Sequence, residues 1–140
     1  MAIPPILNGK LVGALCFSAA YIAADALSFI HPIGQLNITS WNPPAALQVL
    51  FLMLMGWPWM AWTYLTLFVS DGVVRGAAGL LTPEVYFGNA LLVACYAGIA
   101  MALRKFIVQK PSLSAREETA ILSLIVFAGS FFTGAAYISL

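Results

Sequence analysis

The stretch Leu11–Ile30, LVGALCFSAAYIAADALSFI, decides the fold class. It is apolar throughout except for Asp25 and a few small polar residues, and Pro32 follows it. An α-helix of this length measures about 30 Å, which matches the hydrocarbon core of a bilayer. The stretch therefore predicts a transmembrane helix over residues 11–31.

The composition of the whole chain agrees with a lipid environment. Hydrophobic residues make up 62% of the 140 residues and charged residues 8%, and the mean hydropathy is +0.95. Six basic and five acidic residues cannot cover the surface of a soluble domain. We therefore expect an all-α integral membrane protein, with residues 1–140 forming one transmembrane domain and the first helix retained rather than cleaved. The net charge of +1 without a basic stripe argues against a nucleic-acid partner.

The second apolar run, residues 43–55, is too short to cross the hydrocarbon core, because it reaches only about 20 Å as a helix. Asn42 can cap this helix, Pro43 suits its first turn and Gly56 can end it. Pro58 can then open the next helix. We predict a short, re-entrant or spanning helical hairpin with its second arm over residues 58–70 and its tip near Trp57.

Two further helices have clear start signals. Thr82, Pro83 and Glu84 provide a cap, a first-turn proline and an early acid, which predicts a helix over residues 83–105. Ser114 and Glu117 have the spacing of a capping box ahead of a last helix over residues 114–140. The chain is thus expected to form a bundle of about five hydrophobic helices.

The basic residues predict the orientation in a bacterial inner membrane. If the N-terminus is cytoplasmic, Arg75 is the one basic residue outside, as the positive-inside rule prefers. The other basic residues are then in the cytoplasm: Lys10, Arg104, Lys105, Lys110 and Arg116. The C-terminus is then expected on the periplasmic or external side.

Asp25 is the one acid deep inside a predicted span, and such a group is costly to expose to lipid. It indicates either a proton or ligand site or, as the favoured interpretation, a structural residue hydrogen-bonded by Tyr21, Ser28 or a tryptophan of the hairpin. Asp71 and Arg75 are four residues apart and can form an ion pair if their helix continues.

Other candidate ligand groups are isolated. His31 could bind a pigment or haem, but a lone histidine at a helix end more often makes an interfacial hydrogen bond. Trp41, Trp57 and Trp62 could line a pocket for an apolar ligand, although an aromatic belt at the membrane interface gives the same pattern. The sequence shows no metal-ligand cluster and no combination of nucleophile and base, so we expect no enzyme activity. Lipids are the expected bound molecules.

Small residues at Ala94, Gly98 and Ala102 recur four apart and allow close helix packing. Cys16 and Cys95 both lie in apolar runs, where we expect buried, unpaired thiols.

The segment Ser40–Gly76 resembles the first class of bacterial membrane-associated sensor domains. In that family a tryptophan precedes two prolines, and an apolar helix then leads to a glycine and a Trp-Pro pair. The matching residues here are Trp41, Pro43, Pro44, Gly56, Trp57 and Pro58. Asn42 departs from the pattern, and the chain matches only the N-terminal half of such a domain, without an output module.

Two functions remain open on this basis. The first is a non-catalytic accessory subunit that packs against the other proteins of a larger membrane complex. The alternative, which the resemblance implies, is a sensory input module that binds a small apolar ligand and belongs to a longer signalling protein.

Overall fold

The protein is an all-α bundle in a computed structural model that describes residues 5–28, 43–76, 80, 82–108 and 114–138. The helices are α1 (Pro5–Ser28), α2 (Pro43–Met55), α3 (Met60–Val74), α4 (Pro83–Leu103) and α5 (Ala115–Ile138). A 3-10 turn, Trp57–Trp59, precedes α3, and a π-helical turn, Arg104–Val108, continues α4. Among these described residues, three stretches are long and apolar enough to cross a membrane: Gly9–Ser28, Pro83–Phe106 and Arg116–Ala135.

The predicted break between α2 and α3 is confirmed. Gly56 has a φ of 92°, a left-handed conformation that glycine adopts without strain, and its amide donates to the Leu52 carbonyl. Pro58 lies in the 3-10 turn rather than in α3 itself. The predicted end at Ser70 is wrong, because α3 continues to Val74 and carries Asp71 inside the helix.

The other helix starts follow their sequence signals to different degrees. Ser114 and Glu117 form the capping box: the Ser114 amide donates to Glu117 Oε2 at 2.8 Å, and the Glu117 amide donates to Ser114 Oγ at 3.4 Å. Thr82 is the N-cap residue of α4, but its hydroxyl makes no capping hydrogen bond. The Asn42 cap lies outside the described residues.

Contacts between named residues give the helix directions. The Phe17 ring of α1 stacks on Phe51 of α2 at 4.1 Å between centroids, and Gly13 lies beside Met55, so these two helices are antiparallel. Ser18 and Asp25 of α1 meet Thr66 and Ser70 of α3 in the same order, so α1 and α3 are parallel. Consequently α2 and α3 form an antiparallel hairpin, as predicted.

Four helices form a ring in the order α1, α2, α4, α3, and α5 packs on the outside of α4. The centre of the ring holds an apolar cluster of buried residues: Ala14, Phe17, Tyr21, Phe51, Leu67 and Val93. Helix association in lipid gains little from burying apolar surface, so packing and hydrogen bonds between helices provide the stability. Trp62 Nε1 provides one such link, because it donates to Ser18 Oγ at 3.0 Å and to the Ala14 carbonyl at 3.2 Å.

The distribution of polarity is inverted relative to a soluble bundle. Several polar side chains are buried: Asp25, Gln48, Thr63, Thr66, Ser70, Asn89 and Thr133. Large apolar side chains such as Leu54 and Phe127 are 69% and 75% exposed. Cys16 also faces outward and Cys95 is half-buried, so the expectation of two buried thiols is wrong. This surface suits a lipid environment.

Candidate functional site

Asp25 of α1 is held by Ser70 of α3 and by Arg75, the C-cap residue of α3. Arg75 Nη1 lies 2.9 Å from Asp25 Oδ2, Arg75 Nη2 lies 3.0 Å from Asp25 Oδ1, and the Ser70 hydroxyl donates to Oδ2 at 2.7 Å. Two parallel hydrogen bonds between a guanidinium and a carboxylate are among the strongest pairings that side chains form. The contact therefore ties the end of α1 to the end of α3.

Asp71 extends this contact to a third helix. Its Oδ1 accepts from Arg75 Nη1 at 2.7 Å, which confirms the ion pair expected from the four-residue spacing. Its Oδ2 accepts a hydrogen bond from the side-chain amide nitrogen of Asn89, a residue of α4, at 2.6 Å. The five residues Asp25, Ser70, Asp71, Arg75 and Asn89, hereafter the charged cluster, thus join α1, α3 and α4.

The structure corrects the partners predicted for Asp25. Ser28 donates instead to the Ala24 carbonyl of its own helix. The indole of Trp62 donates to Ser18 and Ala14, which precede Asp25 in α1. The acid is not isolated, because the continuation of α3 past Ser70 brings Arg75 to it. The sequence contained only part of this signal: Asp25 is an acid inside a predicted span that needs a partner, and the spacing of Asp71 and Arg75 allows α3 to continue.

The charged cluster lies at the end of the bundle opposite the Gly56 turn. Asp25 is close to the end of α1, and Arg75 is the C-cap of α3. The side chains of Arg75, Asp71 and Asp25 keep 33%, 19% and 12% of their surface accessible. The cluster is therefore partly open to the outside of the bundle.

The tryptophans of the hairpin have different environments. Trp57 is 68% exposed at the turn, whereas Trp62 packs against the core and donates to Ser18 and Ala14. A shared ligand pocket for these tryptophans stays a prediction. Trp41 and His31 lie outside the described residues.

A groove between α4 and α5 contains the predicted small residues Gly98 and Ala102. It has a volume of about 330 Å³ and is open to the outside. Its lining is almost wholly apolar: Cys95, Gly98, Ile99, Ala102, Ile125, Ala128, Gly129, Phe132 and Thr133. Ala94, the third predicted position, is exposed one turn away on α4.

The helices α4 and α5 pack closely at two residues that line this groove, Ile99 and Gly129. A Cβ atom built on Gly129 would overlap the Ile99 side chain, so α5 packs there because residue 129 is glycine. A Cβ atom on Gly98, by contrast, meets nothing within 4 Å. Gly98 therefore leaves an open notch that no described residue fills.

Gln48 was not identified as a site residue from the sequence. It is fully buried on α2, and neither its amide nitrogen nor its amide oxygen has a hydrogen-bond partner. An unpaired buried amide destabilises a fold. Only its amide in an otherwise apolar helix could have drawn attention to it.

Within the part of the chain that the structure describes, no group of three or more His, Cys, Asp or Glu side chains could hold a metal ion. No family model, curated protein or solved structure is significantly similar to the chain. The resemblance to membrane-associated sensor domains therefore stays a prediction.

Proposed function

We propose that this chain is a non-catalytic accessory subunit of a larger membrane complex, and that the groove between α4 and α5 receives a transmembrane helix of a partner. The observation that carries the proposal is the position of α5. This helix packs on α4 outside the ring, and only 6% of its candidate span is buried.

The lining of the groove supports a helix as its occupant. Small residues let two backbones approach closely, which is the usual basis of helix association in lipid. Gly98, Ala102 and Ala128 provide such a surface, and Ala94 extends it along α4. The stable ring formed by α1 to α4 would then serve as the scaffold that presents this groove.

The proposed location is the bacterial inner membrane, with the N-terminus in the cytoplasm. Arg104 lies beside the Gly56 turn, so the turn is at the same end of the bundle as the basic residues that follow α4. The positive-inside rule would put this end in the cytoplasm and the charged cluster near the external face.

The proposal is tested by mild extraction of the chain from its native membrane. Gly98→Leu fills the notch, and we expect it to release the chain from its complex without reducing insertion. Gly9→Leu is the matched control, because a Cβ atom at Gly9 also meets nothing within 4 Å and this residue lies on α1. Size-exclusion chromatography of both variants gives the readout. Migration of the wild type as a detergent-bound monomer would contradict the proposal.

A second candidate uses the same groove. Its volume falls within the range of small-molecule sites, and its lining is apolar, which suits a small apolar ligand. The chain would then be a sensory input module, as its resemblance to sensor domains implies. Mass spectrometry that finds such a ligand on the monomeric wild type, and loses it with Gly98→Leu, would favour this candidate.

A further inference from the structure

Two exposed basic side chains flank the Gly56 turn. Arg104, the C-cap residue of α4, has its Nη1 3.3 Å from the position of a Cβ atom at Gly56. Lys10 of α1 is one helical turn before Gly13, whose own Cβ position is 3.1 Å from Met55 Cε. Because α2 lies between α1 and α4 in the ring, the turn at its end has one basic residue on each side.

Neither of these two cations is neutralised by a side chain that the structure describes. In the described ranges, Arg75 is the basic residue that forms ion pairs, and Arg104 and Lys10 form none. The neighbouring Lys105 is also exposed, with its Nζ 5.9 Å from the centre of the Phe106 ring. The positive charge at the turn is therefore available to an anion.

The whole sequence, including the residues that the structure does not describe, gives this end an excess of positive charge. Residues 1–10 and 104–118 comprise the start of α1 and the connection from α4 to the first turn of α5, and they contain two acids, Glu117 and Glu118. Of these, Glu117 accepts hydrogen bonds from Ser114 in the capping box. The same segments contain five basic residues: Lys10, Arg104, Lys105, Lys110 and Arg116.

Apolar side chains are exposed next to the same turn. Leu50 and Leu54 are one turn apart on α2 and both face outward, and Trp57 is exposed in the turn itself. A phospholipid has an anionic headgroup joined to acyl chains, so it matches both the cations and this apolar surface. A free phosphate ion matches only the cations.

We infer that the Gly56 turn binds an anionic phospholipid, with its phosphate between Arg104 and Lys10 and its acyl chains along Leu50 and Leu54. A guanidinium can donate two parallel hydrogen bonds to a phosphate, and an ammonium adds a compact positive charge. The Trp57 indole then lies at the level of the headgroups, where tryptophan is enriched in membrane proteins. The site uses neither the groove nor the charged cluster, so its test is independent of the proposed partner helix.

The test is native mass spectrometry of the full chain in detergent, with dioleoyl phosphatidylglycerol and dioleoyl phosphatidylcholine as the two probes. Arg104→Gln removes one cation at the turn. Arg116→Gln is the matched control, because it removes the same charge from an exposed residue of α5 at the same end of the bundle. One basic side chain contributes about 1 kcal/mol to the attraction of an anionic lipid, which corresponds to about a fivefold change in affinity.

We expect phosphatidylglycerol to bind more tightly than phosphatidylcholine, and its affinity to fall about fivefold in Arg104→Gln and again when Lys10→Gln is added. The affinity should change little in Arg116→Gln. Equal affinities for the two lipids, or an equal loss in Arg104→Gln and Arg116→Gln, would overturn the inference. Displacement of the lipid by an equal concentration of glycerol phosphate would also overturn it, because the site would then select a free anion. All three substitutions replace exposed side chains, so each variant should fold.

Discussion

Replacing Arg75 with Gln is the most informative test of the charged cluster. The change removes the guanidinium that bonds both oxygens of Asp25 and one oxygen of Asp71. The Asp25 side chain, which is only 12% exposed, then keeps Ser70 as a neutral donor and loses the guanidinium of Arg75. The bundle should become less stable because a buried carboxylate is left without a charged partner.

The expected loss can be estimated from the burial of the pair. Removing one partner of a buried ion pair costs roughly 3–5 kcal/mol. The Arg75 side chain is 33% exposed, so solvent screens part of its interaction with Asp25. We therefore expect the free energy of unfolding to fall by less than this range, by about 2–3 kcal/mol.

The measurement is reversible unfolding of the purified protein in mixed micelles, followed by tryptophan fluorescence. Arg116→Gln is the matched control, since Arg116 is exposed and its replacement should change stability by less than about 0.5 kcal/mol. Adding Asp25→Asn to Arg75→Gln should recover part of the loss, because the unpaired charge is removed. Equal stability of Arg75→Gln and Arg116→Gln would refute the proposed role of the ion pair.

Two other predictions concern different parts of the molecule. Gln48→Met keeps the side-chain size but removes the unpaired buried amide, so the free energy of unfolding should rise by about 1 kcal/mol. A lower free energy of unfolding in the same assay would show that the amide of Gln48 makes a stabilising interaction. A cysteine at Ser112, in the connection before α5, should react with an impermeant thiol reagent only from the cytoplasmic side, whereas reaction only from outside would reverse the orientation.

The sequence predicted the helices well where local signals mark their ends. Pro43 and Gly56 bound α2 at the predicted residues, and the capping box of Ser114 precedes α5 as expected. These signals act within one turn of the chain, through a fixed φ, a positive φ or a side-chain cap. They therefore need no knowledge of the tertiary structure.

The pairing of helices could not be read from the same pattern. In a soluble helix the apolar stripe shows which face is buried, but these helices are apolar on nearly every face. The sequence therefore did not show that Asp25 faces Ser70 and Arg75 across 45 and 50 residues. The cost of a charge in lipid indicates that Asp25 needs a partner, but it does not identify that partner.

The groove was predicted only in part. Gly98 and Ala102 were identified because residues four apart lie on the same face of one helix, where small side chains allow close packing. The contribution of α5 depends on the contact between Gly129 and Ile99, and nothing in the local sequence pairs these two residues. Such contacts become visible only when the helices are placed side by side.

Photo-cross-linking from position 94 tests the central claim, association through α4 and α5, most directly. A photoreactive residue replaces Ala94 beside the groove in cells, and a second chain carries it at Val12, which is 59% exposed on α1. We predict a protein adduct of one discrete mass from position 94, which Gly98→Leu abolishes and which position 12 does not give. Lipid adducts alone from both positions would contradict the claim.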